Sequence, residues 1–332
     1  MPANRLLQHY VDNARRLPWR SMPGEPAPDP YRVWLSEVML QQTTVAAVIP
    51  RFQCFLARWP TVEELARAPD EDVLSEWAGL GYYARARNLV ACAREVTRRG
   101  GFPDTEEELR KLPGIGGYTA AAIAAIAFGR KAAVIDTNVA RVAGRLAGIG
   151  RTVDEARDQI RQVVEQMTPD DCPGDFAQAM MDLGATICRP KAPECRRCPL
   201  AGHCVACASG EPERFPAPKR KTVRPTRHGI AWWIEREGCV WLVRRPAKGM
   251  LGGMTALPGP EWTDTLEHSG PVVGRVTHVF THFRLELEIV AKSEPVGEGW
   301  WHPLDRLNQA GLPTLYRRAA DAVLAGRAKL AA

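Results

Sequence analysis

The sequence predicts a multidomain protein in which an all-α domain is followed by a small α+β domain. From Tyr31 to about Leu200, apolar residues recur at helical spacing and Pro and Gly separate the segments. A stretch rich in Pro, Lys and Arg follows, and beyond it apolar and polar residues alternate as they do in strands. We therefore expect a helical domain over residues 1–207, a basic linker over 208–227 and an α+β domain over 228–332.

The elements of the second domain can be predicted in order. Ile230–Glu235 and Cys239–Arg244 flank a short Arg-Glu-Gly turn, which predicts a hairpin. Arg275–Ala291 contains further alternation and predicts more strand. Leu315–Ala325 has helical spacing and predicts a terminal helix, which makes this domain α+β.

Composition limits the classes of function. The chain has 44 Lys and Arg against 38 Asp and Glu, a formal net charge of +6 that suits a polyanionic partner without requiring one. Its longest apolar run, Ala120–Phe128, is too short to span a bilayer, and no apolar stretch follows a basic amino terminus. We expect neither a membrane protein nor an exported one.

Nine cysteines, an odd number, do not form the dense paired framework of a small secreted domain. Four of them lie close enough in sequence to surround one metal centre: Cys188, Cys195, Cys198 and Cys204. Only one Cys-x-x-Cys pair occurs among these four, whereas zinc sites usually have two, so the spacing favours an iron–sulfur cluster and leaves zinc open. The other cysteines are expected to be buried small residues: Cys54, Cys92, Cys172, Cys207 and Cys239.

A glycine-rich turn joins two predicted helices at Leu112–Tyr118. Gly114 and Gly116 permit a tight turn with exposed backbone amides ahead of the Ala-rich helix that begins near Thr119. Such a turn can hold a phosphate, but a plain interhelical turn has the same pattern. Because no strand precedes it, a dinucleotide-binding fold is disfavoured.

Two carboxylates stand in contrasting contexts. Glu37 lies in an apolar helical run, where burial would raise its pKa and keep it available as a proton donor, although most such acids reach the surface or pair with Arg. Asp136 precedes a helical stretch that begins at Thr137, where an Asp usually caps the helix. A capping carboxylate stays ionised and can face a developing cation.

The glycine turn, the Asp that follows it and the four-cysteine loop together resemble the helix-hairpin-helix superfamily of DNA glycosylases, over roughly residues 5–207. Within that superfamily, Trp34–Thr43 (WLSEVMLQQT) and Gly79–Leu89 (GLGYYARARNL) are similar to the MutY family of adenine glycosylases. In the second domain, Trp241–Pro246 and Phe280–Phe283 resemble the Nudix-like module of that family. The acidic Nudix helix is missing after Gly259, which argues against pyrophosphate hydrolysis.

The resemblance implies a mechanism. Glu37 would protonate nitrogen 7 of adenine, and ionised Asp136 would stabilise the oxocarbenium-like sugar. Tyr118 and Asn138 would orient these groups and the attacking water. Superfamily members that also cleave the strand have a Lys where Tyr118 stands, so we expect a monofunctional glycosylase.

The resemblance also implies a cofactor and binding residues. Cys188, Cys195, Cys198 and Cys204 would ligate one four-iron four-sulfur cluster. The residues expected to contact DNA are Gln42, Leu80, Tyr82, Gly114, Gly116, Phe280, Thr281 and His282. Of these, Gln42 and Tyr82 would wedge into the base stack, and Phe280, Thr281 and His282 would read 8-oxoguanine, with Thr281 standing where the family more often has Ser.

The adenine pocket and the partners follow from the same resemblance. Trp19, Arg20 and Asp182 are expected to line the pocket, with packing and surface pairing as the alternative. The partner would be double-stranded DNA with A:8-oxoguanine or A:G mispairs, bound by a cytoplasmic monomer that is nucleoid-associated if the source is bacterial. Two rival functions remain open: an endonuclease III-type glycosylase for another base lesion, and a catalytically idle DNA-binding protein.

Overall fold

A computed structural model of the chain describes residues 2–77, 79–219, 224–246, 249–263, 270–280 and 282–330. The chain divides into two compact units. The first, here called the helical unit, consists of Met1–Glu76 and Arg85–Arg220, and the second, the sheet unit, consists of Trp77–Ala84 and Lys221–Ala332.

The first two thirds of the chain are almost entirely helical, which confirms the predicted fold class for this region. Its helices, within the described residues, are α1 (Pro2–Asn13), α2 (Pro30–Leu40), α3 (Val45–Arg58), α4 (Val62–Arg67), α5 (Asp70–Glu76), α6 (Tyr83–Arg99), α7 (Glu106–Leu109), α8 (Gly117–Ile126), α9 (Thr137–Leu146), α10 (Arg157–Met167), α11 (Pro173–Thr186) and α12 (Val205–Ala208). Short 3-10 helices occur at Cys195–Arg197, Ala201–His203 and Pro212–Arg214.

Helix α8 is the centre of the helical unit. It is made mainly of Ala and Ile, and every residue from Thr119 to Ile126 is buried. The small Ala side chains let α2, α7 and α11 pack closely around it. A helix that is apolar on all sides is stable only in such an interior position.

Helix α2 carries polar groups into this core. Asp29 caps its amino terminus by accepting a hydrogen bond from the Tyr31 amide, and Pro30 occupies its first turn, where no intrahelical donor is lost. Seven consecutive buried positions, Val33–Met39, follow the exposed Arg32, and Ser36 and Glu37 are among them. The helix therefore positions one carboxyl group inside the unit.

Helices α9 and α11 cross at very short range. A Cβ atom added to Gly184 on α11 would lie 2.6 Å from the Cβ of Asn138 on α9. Only glycine lets the two backbones approach this closely. Gly184 thereby fixes the position of Asn138 two residues after Asp136.

The sheet unit contains two small sheets. Its strands, within the described residues, are β1 (Thr226–Trp233), β2 (Glu235–Arg236), β3 (Cys239–Arg244), β4 (Thr255–Ala256), β5 (Val272–Val279), β6 (Arg284–Ala291) and β7 (Gly299–Pro303). One sheet has the order β1-β6-β5, with β1 parallel and β5 antiparallel to β6. In the other sheet, β3 pairs with β2, β4 and β7, all antiparallel.

The predicted hairpin is only partly present. Glu235 and Arg236 pair with β3 around a turn in which Glu237 and Gly238 both have positive φ, as a two-residue hairpin turn requires. The hairpin continues only to Ile234, whose carbonyl accepts from the Trp241 amide at 2.8 Å, because the residues before it form β1 and pair with β6 in the other sheet. Local alternation predicts strands correctly, but their partners depend on long-range packing.

The later elements agree with the prediction. Arg275–Ala291 falls in the antiparallel pair β5 and β6, and the terminal helix is α13 (Thr314–Leu330). Leu315, Tyr316 and Ala319 of α13 are buried in the core of the sheet unit. Among the described residues, no helix combines the length and apolarity needed to cross a membrane.

Candidate active site

Glu37 is the buried carboxylate of the helical unit. It is only 7% exposed and lies on the inner face of α2. Burial raises its pKa from 4.5 to about 7, and the nearby charge of Asp136 acts in the same direction. The Tyr118 hydroxyl and Arg20 oppose this rise. The side chain can therefore hold a proton near neutral pH.

Tyr118 is the direct partner of this carboxyl group. Its hydroxyl donates a hydrogen bond of 2.6 Å to Oε2 of Glu37. Burial, followed by the charge of Glu37, raises the pKa of Tyr118 well above its usual value, so the phenol keeps its proton. The phenol leaves Oε1 of Glu37 available to carry and deliver a proton.

Asp136 is held at the start of α9, as its sequence context predicts. Oδ1 accepts a 2.6 Å hydrogen bond from the Val139 amide, and Oδ2 accepts one of 2.9 Å from the Asn138 side chain. The amino end of a helix favours negative charge. Backbone and side-chain donors thus fix the orientation of this carboxylate.

One cavity brings these groups together. It has a volume of about 1030 Å³ and lies in the helical unit. The predicted site residues that line it are Glu37, Tyr118, Asp136, Asn138, Gln42, Trp19 and Arg20. Its size is at the upper end of the range for small-molecule sites, so it can admit a nucleobase and its sugar.

The three residues predicted for an adenine pocket form one cluster. Trp19 is buried against Phe52, with ring centroids 5.2 Å apart, and also lines the cavity. Arg20 donates a 2.8 Å hydrogen bond to Asp182, which also accepts one of 2.6 Å from Arg15. Asp182 therefore holds Arg20 in place through an ion pair. Unlike Trp19 and Arg20, it is not among the residues that line the cavity.

The glycine turn has a steric requirement at one position. Gly114 has a φ of +73°, and a Cβ there would lie 2.6 Å from the Cβ of Asn88. Gly116 precedes the first turn of α8 without a side-chain cap, so backbone amides at this helix end are available to a ligand. The geometry agrees with the phosphate-binding prediction without testing it.

The residues predicted to wedge into DNA occupy different surroundings. Gln42 lines the cavity and has a φ of +56°, a strained value for a residue other than glycine. Tyr82, with a φ of +47°, is half exposed, whereas Leu80 is buried. Leu80 and Tyr82 belong to the segment grouped with the sheet unit.

The loop predicted to read the opposite base lies between β5 and β6. Phe280 donates its backbone amide to the Phe283 carbonyl at 2.9 Å, and its ring packs 4.9 Å from that of Phe283. His282 is exposed at the same loop. Thr281 lies outside the described residues.

The four predicted metal-binding cysteines line one small cavity in the helical unit. Cys188, Cys195, Cys198 and Cys204 share it with Cys207. Cys204 and Cys207 form a second Cys-x-x-Cys pair, which we missed in the sequence because only four cysteines were considered together. Of the five cysteines expected to be buried, only Cys92 is buried, and Cys54 is exposed.

The thiols that line this cavity are the ligand type of iron–sulfur clusters and also of zinc. Among the described residues, no three His, Cys, Asp or Glu side chains are placed to hold one metal ion. With the second Cys-x-x-Cys pair, the spacing no longer disfavours zinc, so the assignment of an iron–sulfur cluster follows from the family resemblance.

A buried guanidinium supports an anionic group at this place. Arg145 is 2% exposed, and its hydrogen-bond acceptors among the described residues are backbone carbonyls and one sulfur. It donates to the carbonyls of Arg189 at 2.7 Å and Pro190 at 3.0 Å, and to the sulfur of Cys188 at 3.3 Å. Because a buried cation is costly without a counter-charge, cluster-bound thiolates would complete its environment.

Sequence reasoning also missed Arg141, which connects the cysteine loop to the carboxylates. Its guanidinium donates to the Cys188 carbonyl at 2.8 Å and to Oδ1 of Asn138 at 2.9 Å. Asn138 in turn donates to Asp136. Helical spacing placed Arg141 one turn after Asn138, but nothing local to the sequence showed its contact with Cys188.

Comparison with known proteins identifies the family. Residues 35–169 match the HhH-GPD superfamily of base excision DNA repair proteins, and residues 230–322 match a NUDIX domain. The chain is 33% identical to the adenine DNA glycosylase of Mus musculus, over 89% of this chain and 72% of the mouse protein.

The chain belongs to the adenine DNA glycosylase family. It is also 34% identical to the Homo sapiens member, and the alignment covers 86% of this chain and 65% of the human protein. Among solved structures, a thermostable thymine-DNA glycosylase superposes with a TM-score of 0.55 at 28% identity, covering 62% of this chain and 95% of that one. Family membership and the helical fold are thus supported independently.

In this chain, the match to the superfamily includes Glu37, Tyr118 and Asp136. The matched residues end before the four cysteines, and the NUDIX match begins after the linker. The family match therefore covers the carboxylates, while the cysteine site depends on the geometry described above.

Proposed function

We propose that the chain is a monofunctional glycosylase that binds double-stranded DNA and removes adenine mispaired with 8-oxoguanine or guanine. The observation that carries this proposal is the pairing of a buried Glu37, whose pKa is about 7, with Asp136 at a helix start in one cavity. Because their environments differ, one carboxyl group, Glu37, can act as the proton donor, and the other, Asp136, can stabilise positive charge. Family membership supplies the substrate class.

Adenine must leave the base stack to reach these groups. Flipping a nucleotide costs a few kcal/mol and is easiest at a mispair. We assign two side chains to the space that the flipped base leaves in the stack. They are Gln42, which lines the cavity and has a strained backbone, and the exposed Tyr82. The backbone amides at the start of α8 would hold a DNA phosphate.

Glu37 would then act as the general acid. Oε1 would give its proton to nitrogen 7 of adenine, while Tyr118 holds Oε2 by the 2.6 Å hydrogen bond. Protonation makes adenine a neutral leaving group, and acid catalysis of this kind contributes about 10²- to 10⁴-fold. As pH rises past about 7, less of the carboxyl group carries the proton.

Asp136 would stabilise the cationic sugar. Its carboxylate is fixed by the Val139 amide and by Asn138, so little reorganisation is needed as positive charge develops. Asn138 and Tyr118 would also orient the attacking water. Electrostatic stabilisation of this kind is commonly the largest contribution to an enzyme's rate.

The absence of a strand-cleaving amine supports monofunctional chemistry. A Schiff base with the sugar needs a Lys, and the residues that line the cavity in the described part of the chain include Arg but no Lys. Tyr118 stands where strand-cleaving relatives in the superfamily have that Lys.

The proposed cofactor is one four-iron four-sulfur cluster held by Cys188, Cys195, Cys198 and Cys204. When bound, the cluster would tie the cysteine loop together, a structural task that needs no change of redox state. Arg141 would link this loop to Asn138, and through it to Asp136, by hydrogen bonds. The position of the loop would therefore affect the orientation of the Asp136 carboxylate.

The test is excision from end-labelled duplexes that carry adenine opposite 8-oxoguanine, guanine or thymine, with strands resolved before and after hot alkali. We expect adenine-strand breaks only after alkali, strongest opposite 8-oxoguanine. Glu37→Gln should abolish them, while Glu95→Gln, on the surface of α6, should not. Breaks without alkali would refute the monofunctional assignment, and normal excision by Glu37→Gln would refute the acid role.

The role of the second domain has a separate test. Phe280, Thr281 and His282 are proposed to read 8-oxoguanine through hydrogen bonds to its edge. Thr281→Ala and His282→Ala should reduce the preference for 8-oxoguanine over guanine while leaving excision opposite guanine nearly unchanged. An unaltered preference in both variants would place recognition elsewhere.

A further inference from the structure

The cysteine cavity contains one more thiol than a four-ligand cluster needs. Cys207 lines the same cavity as the four proposed ligands and is half-buried. It lies on α12, one helical turn after Cys204. Cys195–Cys198 and Cys204–Cys207 thus form two Cys-x-x-Cys pairs around a single cavity.

Cys207 shares the cavity with two proposed ligands that come from different segments. Its side chain lines the same cavity as those of Cys195 and Cys204. Cys195 comes from the 3-10 helix Cys195–Arg197, so the cavity brings together two separate segments of the loop. Rotation about the Cα–Cβ bond of Cys207 redirects its sulfur without moving the backbone.

The position of Cys207 is fixed by packing. Val205, the first residue of α12, packs against Gly148, where an added Cβ would lie 2.5 Å from Cγ1 of Val205. The Ala208 amide donates to the Cys204 carbonyl at 3.0 Å, which closes the single turn of this helix around Cys207. Cys207 is therefore held beside Cys195 at a high effective concentration.

We propose that Cys207 is a reserve ligand, which binds the cluster iron in place of Cys195 when Cys195 cannot. This inference rests on the proposed iron–sulfur site. In the exchange, the Cys207 thiol releases its proton to solvent and its sulfur bonds to iron, while the Cys195 sulfur leaves iron and takes up a proton. No electron is transferred, so the oxidation state of the cluster is unchanged.

The experiment measures iron, zinc and acid-labile sulfide per chain, with visible absorption as a second readout. Four purified proteins are compared: wild type, Cys195→Ala, Cys207→Ala and the double variant. Wild type and Cys207→Ala should each hold about four irons. Cys195→Ala should keep nearly the same amount, and the double variant should hold roughly tenfold less, because metal binding and folding are coupled. Cys188→Ala is the matched control and should lose the cluster, since Arg145 holds that thiol.

Alkylation of intact protein followed by peptide mass analysis gives an independent readout. Cys207 should be alkylated in wild type and protected in Cys195→Ala. Equal loss of iron from Cys195→Ala and the double variant would overturn the reserve role. The reserve role would also be overturned if Cys195→Ala were insoluble while Cys207→Ala stayed soluble. A reserve ligand would bind the cluster in Cys195→Ala and so keep the cysteine loop folded. Wild type with zinc or no iron would instead refute the proposed cluster itself.

Discussion

Replacing Glu37 with Gln should remove activity and at the same time stabilise the protein above neutral pH. The pKa of Glu37 is raised from 4.5 to about 7 by burial, so the folded state keeps a proton that the unfolded chain loses between these values. The contribution of Glu37 to the free energy of unfolding is therefore highest below pH 4.5 and falls as pH rises through about 7. The raised pKa corresponds to about 3 kcal/mol, since each pKa unit contributes about 1.4 kcal/mol.

Gln has nearly the same shape and can still accept the hydrogen bond from Tyr118, but it never ionises. The variant should therefore differ from wild type by less than about 1 kcal/mol at pH 5 and exceed its stability by about 3 kcal/mol above pH 8. For a domain of this size, that difference corresponds to roughly 6–12 °C in Tm. This gain measures the free energy of unfolding that wild type loses by burying an ionised Glu37.

The assay is thermal unfolding followed by circular dichroism, at one scan rate, with cluster-loaded protein in buffers from about pH 5 to about pH 8.5. Glu95→Gln is the control, because hydrogen bonds from Arg98 and Arg99 lower the pKa of the half-buried Glu95 to about 2. Both its folded and unfolded pKa values lie below the range, so its difference from wild type should not vary with pH. A pH-independent difference for Glu37→Gln would refute the reasoning.

Three further predictions concern the surroundings of the carboxylates. Tyr118→Phe removes a hydrogen bond that lowers the pKa of Glu37, so the alkaline limb of the single-turnover excision rate should move up by about one pH unit. Arg141→Ala should slow excision by about 10- to 100-fold because Asn138 loses its anchor, and this is checked by single-turnover rates beside iron content. Gly184→Ala should destabilise the protein by about 1–3 kcal/mol and slow excision, as measured by urea unfolding and the same rate assay, because its Cβ would overlap Asn138.

Each of these predictions has a result that contradicts it. An unmoved or downward-shifted pH limb in Tyr118→Phe would show that its hydroxyl does not stabilise the ionised Glu37. Normal excision by Arg141→Ala at full iron content would show that the hydrogen bonds between the cysteine loop and Asn138 do not affect the function of Asp136. Gly150→Ala, which has open space around its Cβ, is the control for Gly184→Ala, and equal effects in the two variants would exclude the crowding explanation.

The sequence alone determined the features that depend on local pattern. Helical periodicity predicted the all-α first domain, and alternation predicted the strands of the second. The context of Asp136 predicted a helix cap, which the structure contains at the start of α9. These features could be predicted because capping, periodicity and turn geometry are set by residues within a few positions of one another.

Only the tertiary structure decided which distant groups meet. The Tyr118–Glu37 hydrogen bond joins two helices 81 residues apart in sequence, and its geometry follows from the packing of α2 against the Ala-rich α8. The raised pKa of Glu37 likewise depends on burial by the whole unit, which no local pattern specifies. In the same way, β1 pairs with β6 and not with its neighbour β3. Cys207 and Cys195 line the same cavity because two loop segments, which no local pattern brings together, fold around it.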